Sequence, residues 1–138
     1  MSNLAQSTFK WGEIQNSMGY LTKDHKALLP EKFMESTNLT ATVAAKELET
    51  SRPNLYKKEI LLKPSTKLKD RVLAVVMVTD VAFQLFDKDP EETAKWLITP
   101  NILLFGASPF EVCMRGEAPM LVQWLLDRAG IQAAPLKR

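Results

Sequence analysis

The strongest hydrophobic pattern in the chain runs from about Thr66 to Phe86, where apolar residues recur at three- and four-residue steps. A second set of apolar positions covers another face of the same segment. A helix that is apolar on most of its circumference is buried between layers of a fold. The pattern therefore predicts one long central helix, and Asp80 within it must lie at a surface edge or be paired.

Three shorter helices are predicted before the central one. Pro30 lies in the first turn of one of them, and Asn38 ends it. Thr40 caps the next helix, which extends through Leu48. Its predicted inward positions are Val43, Ala44 and Leu48.

A third short helix is predicted from Arg52 to about Lys58, with Ser51 as its N-cap, after a three-residue turn. Two helices joined in this way form a helix-turn-helix pattern. Arginine and asparagine can read base edges, lysine neutralises phosphates, and a helix N-terminus can hold a phosphate. The predicted DNA-binding residues are Ser51, Arg52, Asn54, Lys57 and Lys58. The competing interpretation is an ordinary surface helix pair, and Glu49 in the turn places a negative charge near the supposed DNA face.

The C-terminal part contains two helix starts of the same kind: an N-cap residue, a proline at the first helical position and a glutamate at N3. They are Asp89, Pro90 and Glu92, then Ser108, Pro109 and Glu111. Pro100 ends the first of these helices and Gly116 ends the second. The connection at 103–106 is an apolar turn, and a final helix is predicted over 119–129.

Length and composition place the chain in the globular class. Its 138 residues suffice for one domain, or for two small ones that share a core, and 46% are hydrophobic. Charge is unevenly distributed along the chain. Residues 46–71 contain eight Lys/Arg and four Asp/Glu, whereas residues 80–117 contain three Lys/Arg and seven Asp/Glu. Such asymmetry is expected when two surfaces meet different partners, although fluctuation over short windows also explains it.

The sequence gives little support to an enzyme. His25 is the single histidine, and no glycine-rich phosphate loop, metal-ligand spacing or nucleophile elbow is present. Cys113 lies among apolar neighbours and is interpreted as a small core residue rather than a nucleophile. We therefore expect no catalysis, no cofactor and no metal.

We expect a cytoplasmic protein. A single cysteine cannot form a disulfide within the chain and suits a reducing compartment. The N-terminus shows no basic-then-apolar leader, and the apolar run Val72 to Val78 is too short to span a membrane.

A family resemblance becomes specific between 96 and 117. The residues that carry it are Trp96-Leu97, Thr99-Pro100-Asn101, Phe105-Gly106, Ser108-Pro109-Phe110-Glu111 and Arg115-Gly116-Glu117. In this order and spacing they resemble the toxin-binding domain of the Xre/MbcA/ParS antitoxins, the partners of RES-domain toxins. The family usually has a second glycine before the Ser/Thr-Pro pair, and this chain has Ala107 there.

The resemblance implies an antitoxin that sterically blocks an NAD-consuming RES-domain toxin with its C-terminal domain and tail. The helix-turn-helix part would bind the operator of its own operon and repress it, as a homodimer or within a larger toxin–antitoxin complex. The expected toxin-binding residues are Trp96, Asn101, Ser108, Arg115, Trp124 and Arg128. Core packing is the competing interpretation for both tryptophans, since this side chain serves in cores as well as in interfaces.

The predicted fold is all-α: an Xre-like helix-turn-helix bundle joined through the long buried helix to a small helical toxin-binding domain. Residues 1–28 are predicted to be a weakly ordered arm, 29–65 the DNA-binding part, and 66–138 the central helix with the toxin-binding domain. Two alternatives stay open. One is a stand-alone helix-turn-helix transcriptional regulator without a toxin partner, and the other is an adaptor without DNA affinity.

Overall fold

A computed structural model describes residues 13–128, which form a mostly helical fold with one small antiparallel sheet. The helices are α1 (Pro30–Thr37), α2 (Ala41–Leu48), α3 (Lys67–Leu85), α4 (Pro90–Ile98), α5 (Pro109–Met114) and α6 (Ala118–Arg128). Two 3-10 turns span Arg52–Tyr56 and Ile102–Leu104, and the strands are β1 (Ala27–Leu28) and β2 (Ile60–Leu61). The all-α prediction is confirmed. The predicted helix end at 129–130 and the tail after it lie outside the described residues.

Side-chain oxygens cap the starts of α2, α3 and α4. The Thr40 and Thr66 hydroxyls accept the N–H groups of Val43 and Lys69, each at 3.2 Å. The carboxylate of Asp89 likewise accepts two backbone N–H groups at the start of α4. Each cap satisfies backbone donors that have no partner within the helix, so these starts are fixed locally.

Helix α3 lies at the centre of the fold, as its two apolar faces predict. It packs against α2, α4, α5 and α6, and one continuous core includes side chains from both ends of the described chain. The N-terminal helices join this core directly, because α1 packs on α4 and the Phe33 ring lies 6.2 Å from the Phe110 ring. No free linker therefore separates the parts before and after α3 within residues 13–128.

The described part of the predicted arm, residues 13–28, is more ordered than its sequence suggests. Tyr20 is fully buried, with its ring edge-on to Phe33 at 5.5 Å and its hydroxyl 2.5 Å from the Ser36 hydroxyl. β1 pairs with β2. The pattern of the sequence predicts only a connecting segment where β2 lies. Both contacts join residues far apart in sequence, so a local pattern could not predict them.

Asp80 is the polar residue that the apolar pattern of α3 left unexplained. It is 2% exposed, and its carboxylate accepts backbone N–H groups of Gln15 at 2.7 Å, Asn16 at 3.3 Å and Ser17 at 2.8 Å. Burial raises the pKa of this carboxyl, while the three hydrogen bonds oppose the shift. Asp80 is thus paired, as required, and its partner is the backbone of the N-terminal segment.

Two local predictions need correction. Val43 does not face the core but is 41% exposed, because the inward face of α2 is formed by Ala41, Ala44, Ala45 and Leu48. The segment after Ser51 is a 3-10 turn that ends at Tyr56, not an α-helix that reaches Lys58. Runs of 3-10 helix are short by nature, and the backbone at Lys57 is extended.

Over the described residues, no single helix is long and apolar enough to cross a membrane, although the bent pair 90–98 and 102–114 passes by length and composition.

Candidate functional site

Asn101 anchors the short connection between α4 and α5. Its side-chain oxygen accepts the N–H of Leu103 at 2.8 Å, and its backbone carbonyl accepts those of Leu104 and Gly106 at 2.9 and 3.0 Å. Its own N–H donates to the carbonyl of Ala107 at 3.0 Å, which closes the loop. Asn101, a predicted toxin-binding residue, therefore shapes the loop from within.

This anchored loop holds three large apolar side chains in solvent. Ile102 is 87% exposed, Leu103 54% and Phe105 100%. We call these three residues the apolar knuckle. Phe105 has φ +58°, a left-handed conformation that costs a residue with a side chain roughly 1–2 kcal/mol. Exposed apolar clusters on a fixed backbone are typical of protein–protein contact surfaces.

Ala107 fits where the family usually has glycine. The left-handed conformation in this loop falls on Phe105 and on Gly106, whose φ is +87°, and Ala107 is not among the residues with positive φ. The Ala107 side chain is buried. Alanine is therefore accommodated at this position of the turn without a left-handed backbone.

Ser108 serves the fold rather than the surface. It is buried, its hydroxyl accepts the N–H of Glu111 at 3.1 Å, and the Glu111 carboxylate accepts the N–H of Ser108 at 2.8 Å. This reciprocal pair is a capping box that fixes the start of α5. Its hydroxyl is therefore not placed to contact a partner.

The two tryptophans combine packing and partial exposure. Trp96 is half-buried, with its ring 6.0 Å from that of Phe86. Trp124 is also half-buried, and the guanidinium of Arg128 lies 4.8 Å from its ring centre, a cation–π contact. Met120, one turn earlier on α6, is 59% exposed. Trp124 and Arg128 thus form one surface feature, whereas Trp96 contributes mainly to packing.

Arg115 is exposed at the C-terminal end of α5. Within residues 13–128 the ion pairs both involve Glu49, so no described carboxylate lies within 4.0 Å of the Arg115 guanidinium. It lines two surface grooves beside α3. Arg115 is therefore available to an acidic group of a partner.

The predicted DNA-binding residues fall into two groups. Ser51, Arg52, Lys57 and Lys58 are exposed on one short segment around the first 3-10 turn. Ser51 makes no side-chain capping bond, and the Asn54 amide donates to the Thr50 hydroxyl at 2.8 Å. The segment thus carries three exposed cations, while the Asn54 amide is engaged locally and the Arg52 guanidinium lies 3.5 Å from the Tyr56 hydroxyl.

Glu49 does not oppose these cations. It ends α2 in the left-handed conformation, at φ +55°, where such turns usually carry glycine. Its carboxylate pairs with Arg71 at 2.8 Å and Lys67 at 3.6 Å, both on α3. The negative charge is therefore partly neutralised by α3.

Cys113, interpreted from the sequence as a core residue, lies in the core. Cys113 is buried, and burial raises the pKa of its thiol to about 12, so the reactive thiolate is not formed near neutral pH. Among residues 13–128, no group of three or more His, Cys, Asp or Glu side chains could hold a metal ion.

Sequence reasoning missed the apolar knuckle. It interpreted 103–106 as an apolar turn between two short helices that must pack on something larger. The available signal was the run Ile102 to Phe105: four apolar residues between a capping asparagine and a glycine are too many for one tight turn to bury.

Residues 81–130 match the family described as the antitoxin Xre/MbcA/ParS C-terminal toxin-binding domain. The match covers fifty of the 138 residues and includes α4, α5, α6 and the knuckle. It confirms, for this region, the resemblance read from the motif residues. No curated protein and no solved structure matches the chain.

Proposed function

We propose, from the match of residues 81–130 to the antitoxin Xre/MbcA/ParS C-terminal toxin-binding domain, that this protein is the antitoxin of a toxin–antitoxin pair. Its partner is a RES-domain toxin that consumes NAD, and both act in the cytoplasm. The protein binds this toxin and blocks it sterically, without chemistry of its own.

The observation that carries the proposal is the apolar knuckle. Water-exposed Ile102, Leu103 and Phe105 lie inside the matched region on a loop tied down by Asn101. Full burial of such side chains stabilises a complex by roughly 1.5–3 kcal/mol each. Because the loop is already fixed, little conformational entropy is lost when it enters a pocket of the partner.

A second part of the proposal concerns the operator of the operon. Arg52, Lys57 and Lys58 supply exposed cations for phosphate contacts, and the charge of Glu49 is partly neutralised by Lys67 and Arg71 of α3. The first 3-10 turn is five residues long, too short to follow a major groove as a recognition helix does. Phosphate contacts therefore contribute more than base reading, and a homodimer supplies the two half-sites.

Co-expression with a RES-domain protein encoded beside the gene tests the proposal. We expect the antitoxin to restore growth that the toxin alone arrests, and the two chains to co-purify. Absence of both rescue and co-purification contradicts the antitoxin function.

The cationic segment also favours a second candidate, a stand-alone transcriptional regulator. Its expected signature is salt-dependent binding to the upstream promoter region by a protein that associates with no toxin.

A further inference from the structure

A groove beside the first half of α3 combines an apolar floor with a basic rim. Its volume is about 540 Å³. The floor includes Leu73 and Met77 of α3 and Met114 of α5, and the rim carries Lys67, Arg71 and Arg115. We call it the basic groove.

Three observations distinguish this groove from the apolar knuckle. Its α3 wall lies before residue 81, outside the region that matches the toxin-binding family. None of the knuckle residues lines it. The charge on its rim is net positive, since the three cations outnumber Asp70 and the Glu49 carboxylate that Lys67 and Arg71 share.

The cations of the rim differ in how far they are already paired. Lys67 and Arg71 share the carboxylate of Glu49, and Arg71 also donates to the backbone carbonyl of Glu47. These contacts hold the Arg71 guanidinium in place, and its side chain is 26% exposed. Arg115 has no such partner among residues 13–128, so the rim combines a fixed cation with an available one.

We propose that the basic groove binds an acidic amphipathic segment of the protein partner. Apolar side chains of that segment contact Leu73, Met77 and Met114, while its carboxylates meet Arg115 and Lys67. The inference rests on the proposed antitoxin function and extends its contact surface from residues 81–130 onto α3.

The chemistry of the groove favours a protein segment over nucleic acid. Phosphates would satisfy the rim, but a nucleic-acid backbone offers no apolar face for a floor of leucine and methionine side chains. A segment with one apolar and one acidic face matches both, in the manner of a helix that lies in a groove.

Arg115→Glu tests the charge of the rim, and Lys63→Glu is its matched control. Lys63 is exposed on the loop after β2 and does not line the groove, yet its substitution changes the net charge by the same amount. The full-length protein is titrated against the RES-domain protein encoded beside it. We expect Arg115→Glu to weaken the complex about tenfold or more and Lys63→Glu to change it less than about twofold.

Hydrogen exchange on the same complex provides a second readout that needs no substitution. We expect slower exchange over 70–77 and 113–119 in the complex than in the free protein. Equal affinities of Arg115→Glu and unsubstituted protein, or no protection over 70–77, overturn the groove proposal and leave the antitoxin function standing. Protection that arises only from self-association or from added operator DNA also overturns it. If the unsubstituted protein binds no such partner, both proposals fail.

Discussion

The two 3-10 turns make an instructive comparison, since each follows a helix and each presents side chains to solvent. The first, Arg52–Tyr56, lies in a segment that exposes mainly cations and polar groups. The second, Ile102–Leu104, leads into Phe105 and exposes large apolar side chains. The same backbone device therefore presents cations in one place and large apolar side chains in the other.

The turns also differ in how the core supports them. Leu55 of the first turn is buried in a small separate cluster with Ala41, Ala44 and Ala45 of α2. The second turn is tied to Asn101, and partly buried Leu104 packs against the main core. A rigid apolar surface needs such support because it must not collapse inward, whereas flexible cations can adjust to phosphates.

The largest expected effect comes from Phe105→Asp. Phe105 is fully exposed, so the folded protein should keep its melting temperature, but a charge replaces the apolar contact. We expect toxin affinity to fall about 100-fold or more, the scale of an interface hot spot. Isothermal titration with the RES-domain partner measures it.

Tyr56→Asp is the matched control, because Tyr56 is an exposed aromatic on the first turn. It should leave toxin affinity unchanged. Equal losses for the two variants would remove the distinction between the turns.

Asp80→Asn tests the link between α3 and residues 15–17. The amide places an N–H donor where one carboxylate oxygen now accepts, so at least one buried backbone N–H loses its acceptor and we expect a loss of roughly 1–3 kcal/mol in unfolding free energy. Urea denaturation of both proteins measures this difference.

The titration of Asp80 makes the stability of the folded protein depend on pH, and the direction of this dependence can be derived. The folded pKa of Asp80 is raised, so the folded state binds the proton more tightly than the unfolded state does. The stability of the unsubstituted protein relative to Asp80→Asn should therefore decrease as pH rises from about 3.8 through the folded pKa. An increase over that window would show that the three hydrogen bonds outweigh burial.

Arg52→Ala with Lys57→Ala tests the first turn. We expect operator affinity to fall about tenfold and the slope of log K against log salt to become less negative by about two, as for two lost phosphate contacts. Toxin binding should persist.

Arg128→Glu is the reciprocal variant and should weaken toxin binding while operator binding is unchanged. A loss of both activities in either variant would argue against separate surfaces.

Ser108→Ala should have the smallest effect. Loss of the cap of α5 costs about 1 kcal/mol of stability, measured as a lower melting temperature. Toxin affinity should change less than threefold, because the hydroxyl is buried. A larger loss of affinity at unchanged stability would place Ser108 in the contact.

The sequence predicted what depends on neighbouring residues. Thr40, Asp89 and Ser108 were predicted as caps, and each accepts N–H groups two or three positions away, whereas Ser51, predicted in the same way, makes no side-chain cap. The partner of Asp80 and the pairing of β1 with β2 could not be predicted, since they join distant segments. The knuckle was missed because an apolar residue is first assigned to the core.

The central claim is that the apolar knuckle is held outward to bind a protein. Hydrogen exchange and titration of the full-length protein with the RES-domain protein encoded beside it test this claim most directly. We expect saturable binding with the strongest protection from exchange over 101–106. Saturable binding that leaves 101–106 unprotected would contradict the claim. So would the absence of binding when the RES-domain protein is present at about 100-fold the concentration of this protein.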